Sequence, residues 1–254
     1  MSKTIAVVNQ KGGVGKTTSA VNLAAAVGSK GKSVLLVDID PQGNATSGMG
    51  LNKRELDKSS YDVIINGTPA KDVIKPSAYK NVDVLPANMN LAGAELELVD
   101  AQKRESSLKT ALALVKGEYD FIFMDCPPSL GLITLNALCA ADTVLVPIQC
   151  EYYALEGLSQ LMATVRQVKR LYNPMLEIEG VLLTMYDGRL NLTHQVVDEL
   201  KRFFPKKVYA TAIPRNVKLS EAPSYGQPVM YYDKSSKGAA AYDALADEFL
   251  SKNV

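Results

Sequence analysis

The sequence predicts an α/β domain, with a mostly parallel, twisted sheet flanked by helices on both faces and a single domain spanning residues 1–254. Three observations predict it. Short runs rich in Val, Ile and Leu recur along the chain, separated by stretches with helical spacing, which is the alternation that builds βαβ crossovers. The runs are apolar throughout, as strands covered on both faces are. The first run leads through a glycine-rich loop directly into a helix, an arrangement that holds phosphate at the helix N-terminus. A formal net charge of +1 excludes a global field toward nucleic acid or membrane, so any such partner must meet a local patch.

In chain order, the first strand is expected over Ile5–Val8 and the first helix over Lys16–Ser29, with Gly31 as its stop. Between them stands Lys11-Gly-Gly-Val-Gly-Lys-Thr-Thr18. Gly12, Gly13 and Gly15 let backbone N–H groups turn inward around a polyphosphate. Lys16 brings a positive charge to the β/γ-phosphates, and the Thr17 hydroxyl can ligate Mg²⁺. Val14 and Thr18 complete the candidate phosphate-binding run. The spacing G-x-x-x-x-G-K-[ST] asks for glycine at position 10, where this chain has Gln10, and Lys11 adds a second lysine inside the loop.

The second strand, Ser33–Asp38, ends in Asp38-Ile-Asp40-Pro-Gln-Gly-Asn44. A carboxylate beside a γ-phosphate orients attacking water or holds the metal's water shell, which makes Asp40 a candidate for both. Residues 47–80 read as a polar surface excursion with no assignable chemistry. A strand follows over Val82–Pro86, and Asn90 opens a helix expected to run towards residue 116. Tyr119–Asp125 closes on four apolar residues and an acid, placing Asp125 near Mg²⁺ through water. Cys126-Pro-Pro-Ser-Leu-Gly131 reads as a stiff loop before the next helix.

Further strands are expected over Thr143–Pro147, Ile178–Thr184 and Val208–Ile213. Gln149–Leu158 leads into a helix whose Leu155, Leu158, Leu161, Met162, Val165, Val168 and Leu171 form a core stripe. Residues 164–220 hold ten Lys/Arg against five Asp/Glu, an excess that can neutralise phosphates without reading sequence. Arg189 and Lys218 lead its DNA-binding candidates, followed by Arg166, Lys169, Arg170, Lys201 and Arg202. An Ala-rich helix over Gly238–Leu250 closes the chain. Cys126, Cys139 and Cys150 form no C-x-x-C pair, as expected of reduced thiols in a cytosolic compartment. No signal segment is expected ahead of the first strand, and no apolar run approaches the ~20 residues of a spanning helix.

The loop with its extra lysine is the deviant Walker A form, and it resembles the ParA/MinD group of ATPases. The resemblance extends over nearly the full length, through KGGVGKTT, LLVDIDPQGNATSG, LAGAELELV, DCPPSLGLIT, QCEYYALEGL, EGVLLTMYD and IPRNVKLSEAPSYGQPV, and is to the chromosomal ParA/Soj type of partitioning ATPase. It implies a P-loop NTPase fold with ATP and Mg²⁺ as cofactors. It implies a homodimer formed with ATP, in which Lys11 of one chain reaches the phosphates of the other, while Lys16 and Asp40 serve catalysis. It places Pro214 and Asn216 against the adenine, and the guanine signature N-K-x-D is absent. It further implies non-specific binding of double-stranded DNA, slow hydrolysis accelerated by a ParB-type centromere-binding protein, and residence in the cytoplasm at the nucleoid. The N-terminal DNA-binding extension of the larger plasmid type is absent from the sequence, so specific operator binding is not expected. A MinD-like membrane switch would need a basic amphipathic tail, where residues 243–254 hold three acids and one lysine. A reductase-like carrier would need two cysteines placed to share a cluster across the dimer. An ATP-dependent synthetase would need a second substrate pocket.

Overall fold

The computed structural model describes residues 2–100, 104–151 and 154–253. Its strands are β1 Lys3–Val7, β2 Val34–Asp38, β3 Lys75–Pro76, β4 Val82–Leu85, β5 Phe121–Asp125, β6 Thr143–Gln149 and β7 Glu177–Thr184. They form one sheet in the order β3-β4-β2-β5-β1-β6-β7. Every pairing is parallel except that of β3 with β4. The register sets Val7 and Asp38 on either side of Asp125, so β1, β2 and β5 end level at their carboxyl edge. That edge is where α/β sheets of this kind hold ligands.

The helices are α1 Lys16–Ser29, α2 Asn44–Gly48, α3 Ser60–Ile64, α4 Leu91–Val99, α5 Ser107–Ala113, α6 Leu132–Ala140, α7 Ala154–Leu171, α8 Asn191–Phe203, α9 Val217–Glu221, α10 Val229–Tyr232 and α11 Lys237–Asn253. They cover both faces of the sheet. On one face Leu35, Val37, Ile122, Met124 and Val146 pack with Leu138, Leu158 and Leu161. On the other, Ile5, Leu36, Phe121 and Phe123 pack with Leu23, Leu245 and Phe249. Phe249 of α11 meets Phe121 and Phe123 at centroid distances of 5.0 and 5.4 Å, which seats the Ala-rich helix on the sheet beside α1.

Four expectations change. Val208–Ile213 is not a strand: residues 208 and 214 make only isolated bridges, to Val181 and Tyr186. The Glu248 carboxylate of α11 takes the Ala210 and Thr211 N–H groups at 2.9 and 2.8 Å, so those donors never reach β7. The helix expected from Asn90 towards residue 116 is two helices, α4 and α5. Asn136 of α6 supports the second start, accepting the Leu108 N–H at 3.2 Å and donating to the Arg104 carbonyl at 2.6 Å. Leu171 leaves the α7 stripe and is exposed, while Leu158, Leu161, Val165 and Val168 are buried. Residues 47–80 are more than an excursion, since Val63, Ile64, Ala70 and Val73 join the core. A capping box of Ser59 and Asp62 starts α3 within them. Of the three free cysteines, Cys126 and Cys139 are buried and Cys150 half-buried.

Candidate active site

Between β1 and α1 the chain turns through left-handed backbone at Gly13 (φ 73°) and Gly15 (φ 86°), where a side chain is strained. A Cβ on Gly12 or Gly13 would meet nothing within 4 Å, so a ligand can approach the backbone there. The loop is held from outside. Asn9 Nδ2 donates to the Pro147 carbonyl of β6 at 2.8 Å, and Asn9 Oδ1 accepts the Lys11 N–H at 3.0 Å. Thr184 Oγ1 of β7 donates to the Val14 carbonyl at 2.8 Å. Gly15 is the N-cap of α1, whose first turn carries no acid, so the helix's partial positive charge faces the loop.

Lys16 is buried, and its Nζ donates to the Lys11 carbonyl at 3.1 Å. Burial pushes its pKa down, opposed by nearby Asp125, Cys126 and Asp40. An ammonium held in so dry a place interacts with a polyphosphate more strongly than it would in water. Lys11 differs. Its Nζ pairs with Glu151 of its own chain at 2.5 Å, and both side chains remain about 40% exposed (39% and 45%).

Asp125 lies at the end of β5 with both carboxylate oxygens buried. Burial, then the neighbouring Asp38, push its pKa well above the ordinary carboxylate value, while Thr17 and Lys16 draw it back. Such a group is costly unless a cation or water completes it. Oxygen donors from Thr17 and Asp125 under a phosphate loop fit Mg²⁺, which takes few protein ligands and fills its shell with phosphate and water. No cluster of three or more His, Cys, Asp or Glu suited to a metal exists among the described residues.

Asp38 is equally buried but fully engaged. It accepts the Thr46 N–H and hydroxyl at 2.8 and 2.7 Å and the Asp40 N–H at 3.1 Å. Burial raises its pKa to about 6 against those bonds. Thr46 Oγ1 in turn accepts the Ala87 N–H at 2.9 Å, so Asp38 ties α2 and the end of β4 to the acidic loop. Asp40, 7% exposed, uses Oδ1 to accept the Gln42 N–H at 2.9 Å.

A cavity of about 250 Å³ adjoins the loop, lined among others by Gly15, Thr18, Thr184, Pro214, Asn216 and Tyr242. Asn216 Oδ1 caps α9 by accepting the Lys218 N–H at 3.0 Å, which leaves Nδ2 to donate to a ligand. The Tyr242 hydroxyl meets Ser19 Oγ of α1 at 3.1 Å. The structure thus brings Pro214 and Asn216 to the side of the phosphate loop.

The basic candidates fall on separate elements. Arg166, Lys169 and Arg170 lie on α7, Lys201 and Arg202 on α8, Arg189 between β7 and α8, and Lys218 on α9. Arg189 donates to Asp187 at 2.9 and 2.6 Å, Arg202 pairs with Glu199, Lys169 with Glu177 and Lys218 with Glu221. Arg166, Arg170 and Lys201 are exposed.

A family profile described as "AAA domain" matches residues 2–178. Sporulation initiation inhibitor protein Soj of Bacillus subtilis is 58% identical over 248 residues, 98% of this chain and 98% of that protein. The chromosome-partitioning ATPase Soj of Treponema pallidum is 51% identical over 253 residues, 100% of this chain and 99% of that protein. The chain belongs to the ParA/Soj family of chromosome-partitioning ATPases. Among solved structures, cobyrinic acid a,c-diamide synthase from Mycobacterium smegmatis, with bound ATP analogue and magnesium, superposes with a TM-score of 0.86. It is 38% identical, over 98% of this chain and 95% of that one.

For this ParA/Soj member, sequence reasoning missed four residues at the site. Glu151 is separated by 140 positions from the Lys11 it holds, and Thr184 by 170 from Val14, so no local pattern links either pair. Thr46 sits inside the quoted LLVDIDPQGNATSG run but reads there as ordinary polar sequence. Tyr242 is the one tyrosine of the Ala-rich stretch Gly238–Leu250, and that lone hydroxyl is the one available signal.

Proposed function

We propose that this chain is an ATP-gated DNA-partitioning switch. Mg-ATP binds the loop, with Lys16 on the β/γ-phosphates, Thr17 on Mg²⁺, Asp125 behind it through water, and the base beside Pro214 and Asn216. Two chains then join face to face, Lys11 of each reaching the other's phosphates. The dimer binds double-stranded DNA without sequence preference, and hydrolysis assisted by Asp40 releases it. A ParB-type partner accelerates that step, and the protein works in the cytoplasm at the nucleoid. The observation that carries this reading is the second lysine. Lys16 is buried in the loop, whereas the Lys11 side chain stays 39% exposed and paired with Glu151. A cation so placed serves a second set of phosphates better than its own.

The deciding measurement is binding to arbitrary DNA across a salt series with ATP, with ADP and with neither. ATP-dependent, salt-sensitive binding supports the switch, and ATP-dependent binding to liposomes would support a MinD-like one. Against the latter, Leu245, Ala246 and Phe249 of α11 are buried, and Asp243, Asp247 and Glu248 oppose an anionic surface. No described helix is long and apolar enough to cross a membrane. A synthetase reading has the 38% identical cobyrinic acid a,c-diamide synthase on its side; against it, the apolar clefts between α3, α4 and α5 and between α7 and α8 include no residue of the phosphate loop.

Two further outcomes are expected. Glu151→Gln should favour ATP-dependent self-association by up to about fivefold, because Lys11 must leave an exposed ion pair of modest strength to cross the interface. Sedentary monomers at every ATP concentration, measured by light scattering, would count against that route. Arg189→Glu should weaken DNA retention roughly tenfold at moderate salt while sparing self-association. Unchanged DNA binding would move the patch away from the Asp187–Arg189 loop.

A further inference from the structure

A trans peptide sets its C=O and N–H on opposite sides. The peptide joining Val14 to Gly15 has its carbonyl turned to β7, where Thr184 Oγ1 donates to it at 2.8 Å. The Gly15 N–H therefore points away from β7. Both Val14 and Thr184 are 2% exposed, so neither end of this bond can exchange it for water. Gly15 itself cannot hold the peptide. At φ 86° it sits where glycine moves freely between conformations. Thr184 side-chain atoms lie 3.5 to 3.8 Å from where a Gly15 Cβ would stand, so the same residue that fixes the carbonyl also packs the glycine's open side.

Thr184 is itself well anchored. The Ile213 N–H donates to the Leu183 carbonyl at 2.8 Å, and the Tyr186 N–H donates to the Ile213 carbonyl at 2.9 Å. Between them Met185 takes φ 48°, a left-handed value that a non-glycine residue rarely adopts. These contacts hold the end of β7 against the segment that carries Pro214 and Asn216. Thr184 also lines the 250 Å³ cavity shared with those two residues and lies beyond the span matched by the family profile.

We propose that Thr184 is a positioning residue for nucleotide binding: its hydroxyl orients the Val14–Gly15 peptide so that the Gly15 N–H faces the phosphates. The proposal rests on the nucleotide-binding part of the switch and on none of its DNA chemistry. The test is titration of the purified full chain with Mg-ATP and Mg-GTP, alongside steady-state ATPase kinetics. Thr184→Val keeps the shape and removes the hydroxyl, leaving a buried carbonyl unpaired. It should weaken Mg-ATP binding about tenfold and raise KM with little change in kcat. Thr184→Ser should stay within about twofold of wild type, while Thr184→Ala should match the valine variant or fall below it. Serine and alanine both lack the methyl, so their difference isolates the hydroxyl even if the valine variant folds poorly. The ATP-to-GTP preference should be unchanged, because the hydroxyl serves the phosphates and not the base. Valine binding Mg-ATP as wild type does, serine behaving as alanine does, or a loss confined to one base would each overturn the proposal. Wild-type protein that binds no nucleotide would overturn the switch reading, and this proposal with it.

Discussion

Lys16→Ala is expected to weaken Mg-ATP binding at least about 100-fold, which corresponds to two charge-assisted hydrogen bonds lost from a desolvated site. The reasoning starts from burial. Lys16 is 6% exposed, and removal from water alone pushes its pKa down. Nearby Asp125, Cys126 and Asp40 oppose that shift. Alanine is a strong helix former at the first position of α1, so the variant should fold. What disappears is the buried cation of the loop, together with its bond to the Lys11 carbonyl. Arginine should fail to rescue, because a broad planar guanidinium does not replace a compact ammonium at so buried a site. Calorimetric titration reads the affinity directly, and normal binding by the alanine variant would reject this loop as the phosphate site.

How far the sequence foretold this site depended on how local each part is. The phosphate loop is contiguous, and its glycines, lysine and threonine follow a strand and open a helix, so spacing alone locates it and α1 over Lys16–Ser29. Asp125 was legible because four apolar residues precede it, and the register with β1 and β2 then places it beneath the loop. Features resting on distant partners were not legible. The break between α4 and α5 is invisible to periodicity, since Leu108 and Leu112 continue the apolar spacing. What supports the turn is Asn136, 28 residues beyond the Leu108 N–H that it accepts. Val208–Ile213 has strand composition, yet Glu248, 38 residues beyond Ala210, takes donors a strand would use. Two-residue β3 is too short for any alternation to register. Lys11 stands out in the sequence as the anomaly of the loop, but its ion pair with Glu151 required three dimensions.

Asp40→Ala should separate binding from turnover. Asp40 holds its place mainly through backbone: its N–H donates to Asp38 Oδ1 at 3.1 Å, and its carbonyl accepts the Gly43 N–H at 2.8 Å. Alanine keeps both bonds and loses only the 2.9 Å bond from the Gln42 N–H, at a cost of about 1 kcal/mol. Asp38, fixed by Thr46, continues to shape the loop. Nucleotide affinity should therefore change by no more than a few-fold, and ATP-dependent self-association should persist. Hydrolysis is another matter. With Oδ1 committed to Gln42, Oδ2 is the oxygen free to orient water toward the γ-phosphate, and losing it should slow turnover at least about 100-fold. The variant should accumulate as an ATP-loaded dimer that stays on DNA, readable by light scattering and by slow dissociation after dilution into ATP-free buffer. A variant that remains monomeric with ATP would make Asp40 a structural residue of the loop. One that hydrolyses at the wild-type rate would transfer water orientation to another group at the carboxyl edge of the sheet.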